Sequence, residues 1–155
     1  GKDAQTIEVK NSIIATGSKP ATLPFIKIDK ERVITSTEAL KLKDIPKHMI
    51  VIVGGVIGLE LGQVYRRLGA KVSVIEYAER ITPVMDAGLS RELMKVMKKQ
   101  GVKFYLSHGV NKVERKGDIV HVVATDKKGV DIPFEGDYCL VSVGRRPYTD
   151  GLNAQ

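Results

Sequence analysis

A glycine-rich run and an acid downstream of it are the residues whose types and spacing point to chemistry in this sequence. The run Val53-Gly54-Gly55-Val56-Ile57-Gly58 matches the pattern G-x-G-x-x-G at its second and third glycines, Gly55 and Gly58. In that pattern the second glycine lets the backbone approach a pyrophosphate, and the third lets a helix pack closely on the strands. Glu76 follows 18 residues after Gly58, where a carboxylate can accept hydrogen bonds from the ribose hydroxyls of NAD. The predicted chemistry is binding of NAD.

Val53 departs from this pattern, because the first pattern position is normally a glycine in a sharply bent backbone. A β-branched residue pays heavily for a positive φ, so we expect either that Gly54 absorbs the turn or that the loop is displaced. Starting the pattern at Gly54 does not restore it, since Val56 and Leu59 would then occupy the other two glycine positions.

The segments around the motif predict strands and helices in alternation. Apolar runs predict strands over 49–53, 71–76 and 102–106. Helical spacing predicts one helix over 56–68, closed by Gly69, and a second that is capped by Asp86 and ends at Gly101. The apolar face of the second helix is predicted to be Leu89, Leu93, Val96 and Met97. Two such βαβ units indicate a right-handed, doubly wound parallel sheet.

The pattern changes after the third strand. Segments 110–115, 119–125 and 130–134 are short and are separated by Lys116-Gly117-Asp118 and Lys127-Lys128-Gly129, which are hairpin signals. They predict a three-stranded antiparallel meander that replaces the crossover helix before a last strand over 138–143. The predicted fold class is therefore α/β, a Rossmann-like three-layer domain with a parallel core sheet and an antiparallel β-meander crossover.

The first 48 residues are less regular. Segments 6–10 and 12–15 have the composition of strands, 21–34 that of a loop, and Ser36 or Thr37 can cap a short helix through Leu42. The core of a nucleotide-binding fold that starts near Met49 does not account for two earlier strands. We expect these strands to belong to another structural unit.

Composition argues against several other functions. The net charge is +7, but the 25 basic residues are interspersed among 18 acidic ones, and the dense run Lys95, Lys98 and Lys99 falls at a predicted helix C-terminus, where cations offset the helix dipole. Nucleic-acid binding is therefore not expected. No apolar stretch is long enough to span a membrane, and the first residues lack the features of a secretion signal. No metal site is predicted.

The residues that usually carry redox or acid–base chemistry are few and scattered. The single cysteine, Cys139, lies in an apolar run and reads as a buried strand residue, so the sequence offers no redox pair. His48, His108 and His121 are isolated from one another and are expected to be surface or strand residues.

Longer segments resemble a known family. Residues 55–62 (GVIGLELG), 67–72, 74–76, 98–104 and 141–148 (VSVGRRPY) are similar to the NAD half of the dihydrolipoamide dehydrogenases, which are flavoprotein pyridine nucleotide-disulfide oxidoreductases. The similarity covers nearly all of the chain. Residues 13–20 (IIATGSKP) are similar to the segment by which these enzymes return from the flavin domain to the NAD domain. That resemblance accounts for the irregular start.

The resemblance implies a set of cofactor contacts. Glu60 matches a glutamate near the nicotinamide and flavin, Val110 a residue whose backbone lies by the adenine, and Gly144 one that the nicotinamide passes. Arg145 and Arg146 are expected to be structural or interdomain charges. The implied NAD-binding set is Gly54, Gly55, Val56, Ile57, Gly58, Glu60, Glu76, Val110 and Gly144. The implied set near FAD in the complete enzyme is Ala15, Thr16 and Gly17.

The resemblance also implies a division of the chain. Residues 1–20 would be the crossing segment from a flavin domain, 21–48 a linker with a short helix, 49–144 the NAD-binding domain, and 145–155 the start of the return. Family members also need an FAD fold, a CxxxxC disulfide and a His–Glu pair, which this sequence lacks. No catalytic residue is therefore assigned here, and the chain alone is expected to be inactive.

The implied parent enzyme is a homodimer that works in a 2-oxoacid dehydrogenase or glycine cleavage complex. Its compartment would be the cytoplasm in bacteria or the mitochondrial matrix in eukaryotes. Two alternatives remain open. The first is a related flavoprotein such as mercuric or glutathione reductase, although relatives that use NADP resemble this chain but carry arginines at the positions of Glu76 and Thr82. The second is an NAD-sensing module without chemistry, which would have no use for residues 15–17.

Overall fold

The computed structural model describes residues 5–153. Residues 1–4 of the predicted crossing segment and residues 154–155 of the predicted return segment lie outside the described residues. In chain order the elements are β1 Ser18–Pro20, β2 Val33–Ile34, α1 Ser36–Ala39, β3 His48–Ile52, α2 Val56–Arg67, β4 Lys71–Glu76, α3 Ala87–Lys99, β5 Lys103–Leu106, β6 Gly109–Lys116, β7 Ile119–Thr125, β8 Asp131–Gly136, β9 Tyr138–Val141 and β10 Arg145–Pro147.

A five-stranded parallel sheet forms the centre, in the order β2-β9-β3-β4-β5. Ile52 near the end of β3 pairs with Ile75 on one side and with Val141 on the other. The predicted parallel core sheet is confirmed. Because all five strands run the same way, their carboxyl ends lie along one edge, which is where α/β proteins bind ligands.

The two faces of this sheet are covered by different structures. On one face, Leu59 and Tyr65 of α2 and Met97 of α3 belong to the same core as Val51 and Val74. The other face packs on the antiparallel sheet β6-β7-β8, whose inward side chains include Val120, Val122 and Phe134. The three-layer fold and the meander are therefore confirmed.

The helices present less of their apolar surface to the sheet than the sequence predicts. Met97 of α3 is buried, whereas Leu89 is 62% exposed and Val96 is also largely exposed. Asp86 caps α3 as predicted, accepting hydrogen bonds from the N–H groups of Gly88 and Leu89. Periodicity identifies apolar positions on a helix, but it does not tell which of them another layer covers.

The first part of the chain differs from the sequence prediction. Segments 6–10 and 12–15 form no strand, because within residues 5–153 no sheet edge pairs with them, and Ile13 is 93% exposed. The segment predicted as a loop contributes β2, which pairs with β9 through Val33 and Ile34. The cap of α1 is Thr35, not Ser36 or Thr37, because Thr35 and Glu38 form a capping box.

Candidate nucleotide-binding site

The turn after β3 is made by Val53 itself. Its φ is +76°, in the left-handed region, and Gly54 has no positive φ, so the expectation that Gly54 absorbs the turn is wrong. The Val53 N–H donates to the carbonyl of Ile75 at 2.9 Å, which continues the strand pairing into the turn. The valine therefore adopts the conformation that glycine normally supplies, at a cost of about 1–3 kcal/mol.

Glu76 connects the second strand to this turn. Its side chain is only 4% exposed. Oε2 accepts a hydrogen bond from the Gly54 N–H at 2.7 Å, and Oε1 accepts one from the Ala78 N–H at 2.7 Å. The carbonyl of Gly54 in turn accepts from the N–H of Thr82 at 2.9 Å. The acid predicted from its spacing thus lies directly against the glycine turn.

Gly55 caps α2 without a side chain. Its backbone is extended, with φ −79° and ψ 175°, and a Cβ built there would meet only a methyl group of Val53, at 3.8 Å. Neither conformation nor packing within the protein therefore requires glycine at position 55. No side chain caps α2 and its first turn holds no acid, whereas Thr35 caps α1 and Asp86 caps α3. The N–H groups at the start of α2 are left for an external anion.

Gly58 is required by packing. A Cβ there would lie 2.4 Å from Oγ of Ser142, 2.7 Å from the Val53 carbonyl oxygen and 2.9 Å from a methyl group of Val51. All three distances are shorter than normal contacts. The absence of a side chain at position 58 therefore lets the first turn of α2 approach the ends of β3 and β9.

An apolar cleft opens beside the turn, between the parallel sheet and the meander, with a volume of about 290 Å³. That volume is near the lower end of the range for small-molecule sites. The lining residues lie mostly at or just beyond strand ends: Leu23, Phe25, Ile52, Val53, Ile75, Tyr77, His108, Gly109, Val110 and Val143. Val110, which was predicted, thus lies in the same cleft as the Val53 turn.

Two other predicted residues lie outside the apolar cleft. Gly144 has φ +117°, and its carbonyl accepts a hydrogen bond from the Ala21 N–H at 2.9 Å. Glu60 is exposed and lines a second cleft, between α2 and α3, together with Met85 and Leu93. Glu60 therefore does not share the cleft of Val53 and Val110.

The residues predicted to lie near a flavin pair with the end of the chain. The Thr16 hydroxyl donates to the Tyr148 carbonyl, and the Tyr148 N–H donates to the carbonyl of Gly17 at 2.9 Å. Gly17 has φ +82°. Arg145 donates to Oγ and to the carbonyl of Ser18, at 2.7 and 2.6 Å. These contacts hold β1 and β10 side by side, and Ala15 beside them is exposed.

The cysteine and the histidines form no catalytic group. Cys139 is fully buried in β9, and this burial raises the pKa of its thiol, which keeps it protonated at neutral pH. His48 contacts Ser73, His108 contacts the Leu106 carbonyl, and His121 faces Glu135, so the three rings have separate partners.

Within residues 5–153 no helix is both long and apolar enough to cross a membrane.

Sequence reasoning missed four residues around the turn. Tyr77 and Val143 line the cleft just after β4 and β9, and His108 lines it just after β5. Ser142, which contacts the turn, also follows β9. The available signal was positional, since residues that follow parallel strands converge at one edge of the sheet.

Residues 1–155 match the family model described as pyridine nucleotide-disulphide oxidoreductase. The chain therefore belongs to this family of oxidoreductases. It is 47% identical over 150 residues to dihydrolipoyl dehydrogenase 3 of Pseudomonas putida, a match that covers 96% of this chain and 32% of that protein. It is 46% identical over 154 residues to mitochondrial dihydrolipoyl dehydrogenase of Dictyostelium discoideum, covering 97% of this chain and 32% of that one. The chain thus spans about a third of the length of these curated relatives.

Solved structures share the fold of this chain. LpdA from Mycobacterium tuberculosis superposes with a TM-score of 0.75 at 31% identity, over 89% of this chain and 29% of that one. The water-forming NADH oxidase from Lactobacillus brevis, bound to NADH, gives a TM-score of 0.73 at 26% identity, over 86% of this chain and 30% of that one.

Proposed function

We propose that this chain binds NAD(H) at the carboxyl edge of its parallel sheet. The observation that carries the proposal is the start of α2, where Gly55 leaves the helix N–H groups without a capping side chain although nothing in the protein requires a glycine there. A pyrophosphate fits such a position, because it accepts hydrogen bonds from free N–H groups and is stabilised by the helix dipole. Residues 54–58 would form this contact.

The rest of the nucleotide has matching surroundings on either side of the turn. The carboxylate of Glu76 adjoins the Gly54 N–H, so a ribose placed over the turn would reach it. The apolar cleft offers Val110 to the adenine. Gly144, at the end of the neighbouring strand, has no side chain to obstruct the nicotinamide. Glu60, which lines the second cleft between α2 and α3, would lie near the nicotinamide in the complete protein.

We further propose that the complete protein is a dihydrolipoamide dehydrogenase. Most of this chain aligns with such enzymes at 46–47% identity. FAD in that enzyme would exchange hydride with NAD and electrons with a disulfide. In this chain, residues 15–17 would lie near FAD, as the resemblance implies, and Thr16 and Gly17 are hydrogen-bonded to Tyr148. The divisions at residues 20, 48 and 144 belong to this proposal.

The remaining functional assignments follow from the proposed enzyme. It would be a homodimer, would serve a 2-oxoacid dehydrogenase or glycine cleavage complex, and would work in the bacterial cytoplasm or the mitochondrial matrix. The relatives include a protein from Pseudomonas putida and mitochondrial proteins. That range of sources agrees with both compartments.

Calorimetric titration of the 155-residue chain with NAD⁺ tests nucleotide binding. We expect NAD⁺ and ADP-ribose to bind with similar affinity and nicotinamide mononucleotide to bind much more weakly, because the proposed contacts are to the pyrophosphate and the adenosine ribose. In ¹H–¹⁵N spectra, NAD⁺ should shift the amides of Gly54, Gly55, Val56, Ile57 and Val110. Saturating NAD⁺ that leaves these amides unshifted would contradict the proposal.

A further inference from the structure

Val53 needs external support to remain in its conformation. A β-branched residue with φ +76° is strained, and an unrestrained turn would relax toward negative φ. The Val53 N–H is held by the Ile75 carbonyl at 2.9 Å. Whether the Val53 peptide can rotate therefore depends on what holds the Val53 carbonyl, on the other side of the residue.

Ser142 supplies that support. Its hydroxyl donates to the Ile52 carbonyl at 2.9 Å and lies 3.3 Å from the Val53 carbonyl oxygen, so its single proton is shared between two acceptors. The Ser142 N–H also donates to the Ile52 carbonyl, at 3.2 Å. Ser142, just after β9, therefore contacts the carbonyl groups on both sides of the strained residue, those of Ile52 and Val53.

The same hydroxyl lies against the start of α2. A Cβ on Gly58 would come within 2.4 Å of Oγ of Ser142 and within 2.7 Å of the Val53 carbonyl oxygen. The serine hydroxyl, the Val53 carbonyl and Gly58 thus meet at one point. Any rotation of the Val53 peptide would move the turn relative to the first N–H groups of α2.

We propose that Ser142 is a positioning residue for the nucleotide, one that holds Val53 in its left-handed conformation so that residues 54–57 face the pyrophosphate. The proposal rests on the proposed NAD site. Ser142 itself need not touch the nucleotide, since its hydroxyl proton is engaged by backbone carbonyls. Its role exists because of Val53, since a glycine at position 53 would hold the same φ without strain.

A double-mutant cycle tests this dependence. Without the serine hydroxyl, Val53 can relax in the free protein, and NAD⁺ must then restore the strained turn when it binds. We therefore expect Ser142→Ala to weaken NAD⁺ binding about threefold to tenfold, the scale of one hydrogen bond. In the Val53→Gly background the same substitution should change the affinity by less than about twofold. Calorimetry on the four proteins measures both effects.

The control is Ser73→Ala, which removes a hydroxyl that is more buried than that of Ser142 and is hydrogen-bonded to His48, at the opposite edge of the sheet. It should lower the melting temperature and leave the NAD⁺ affinity unchanged. Equal weakening by Ser142→Ala in both position-53 backgrounds, or none in either, overturns the proposal. If the wild-type chain binds no NAD⁺, the proposed function fails instead.

The experiment also tests the proposal if Ser142→Ala fails to fold. If Ser142→Ala does not fold but the double variant Val53→Gly/Ser142→Ala does, the rescue supports the proposed dependence. If neither folds, Ser142 supports the fold regardless of Val53, and the proposal is wrong. Amide hydrogen exchange at Gly54 and Gly55 measures the mobility of the turn directly. Ser142→Ala should speed this exchange only when residue 53 is valine.

Discussion

The carboxylate of Glu76 is hydrogen-bonded to the backbone of Gly54, with Oε2 accepting from the N–H at 2.7 Å. The other oxygen accepts from the Ala78 N–H. The acid proposed to read the ribose therefore also holds the glycine turn against the second strand. Substitution at this position should affect both the fold and the choice of nucleotide.

We predict that the chain prefers NAD⁺ to NADP⁺ and that Glu76→Gln weakens this preference. A 2′-phosphate would face a like charge at Glu76, and the amide removes that repulsion. The amide also presents an NH₂ group to one of two N–H donors, which should lower the free energy of unfolding by about 1–3 kcal/mol. The measurement is the ratio of the two dissociation constants, with the exposed neighbour Glu79→Gln as control. A ratio that does not respond to Glu76→Gln would remove the proposed ribose contact.

Position 82 is unsuitable for an arginine. Thr82 is 2% exposed, its hydroxyl contacts Oγ of Ser90 at 2.8 Å, and its N–H supports Gly54. An arginine there would have to leave this buried position. Nucleotide choice is therefore best tested at residue 76 alone.

We predict that Val53→Gly stabilises the fold more than it tightens NAD⁺ binding. Ile75 and Ser142 hold the left-handed conformation through contacts within the protein, so relief of its strain favours the folded state as a whole. The gain of about 1–3 kcal/mol is partly offset by the greater chain entropy of glycine, about 0.5–1 kcal/mol. We expect a net increase of about 1 kcal/mol in the free energy of unfolding, measured with denaturant, and an NAD⁺ affinity within about threefold of wild type.

Val130→Gly is the control for the glycine effect, because Val130 is exposed and has no positive φ. It should lose roughly 0.5–1 kcal/mol. If Val53→Gly loses as much stability as Val130→Gly, the valine at position 53 is not strained.

Two glycines of α2 should respond oppositely to alanine. Gly58→Ala places a methyl group 2.4 Å from Ser142 Oγ and 2.7 Å from a backbone oxygen, so α2 must move, at a cost of about 1–3 kcal/mol. Gly62→Ala meets Val72 and Val51 at 3.4 and 3.5 Å, which are ordinary contacts, and gains helix propensity of up to about 1 kcal/mol. Thermal unfolding and NAD⁺ titration of both variants measure the contrast. Equal melting temperatures would mean that the helix start is not closely packed.

Asp29 should make the fold sensitive to acid. Burial raises the pKa of this carboxyl, but N–H groups of Glu31, Arg32 and Val33 and the guanidinium of Arg115 donate to it and together hold its pKa below the usual value. A lowered pKa in the folded state contributes stability above the unfolded pKa of about 3.9, and this stability is lost as pH falls through the folded value.

We therefore predict that Asp29→Asn lowers the free energy of unfolding at pH 7 and that its difference from wild type shrinks as the pH falls below about 4. Denaturant unfolding from pH 7 to pH 2 measures this difference. Asp44→Asn, at an exposed position, is the control and should run parallel to wild type. A difference that stays constant down to pH 2 would show that the charge of Asp29 does not contribute.

The chain alone should not oxidise NADH with lipoamide. Its one cysteine is buried in β9 with a raised thiol pKa, and a dithiol exchange needs two accessible sulfurs. The absorbance of NADH at saturating lipoamide should stay constant, with a full-length dihydrolipoyl dehydrogenase as positive control. Turnover that co-purifies with the chain and persists in Cys139→Ser would contradict both this prediction and the proposed division of the enzyme.

Local features of the fold could be predicted from the sequence because they depend on neighbouring residues. The strand at Lys71–Glu76 has the predicted bounds, and Asp86 caps α3 as expected. The left-handed Val53 could not be predicted, since it is imposed by partners far along the chain, at Ile75 and Ser142. Residues 6–15 have the composition of strands, but a strand needs a partner edge, which composition does not provide.

The candidate site, like the fold, could be predicted only in part. Glu76 reaches the glycine turn because its spacing from Gly58 corresponds to one helix and one strand. Glu60 was assigned by resemblance alone, and it lines the second cleft, between α2 and α3, and not the apolar cleft. Tyr77 belongs to no motif, and Ser142 lies in the family-like segment 141–148 but was given no role, so their contribution could be recognised only once the order of the strands was known.

The antiparallel pairing of β1 with β10 has a consequence for modularity. Pro20 is directly opposite Arg145, so the chain enters and leaves the intervening 21–144 segment at neighbouring points. A segment attached in this way can be inserted into a host, or exchanged for another, without separating the host's own strands. Exchange of residues 21–144 as one unit therefore needs a single short junction, at which a protein engineer can replace it.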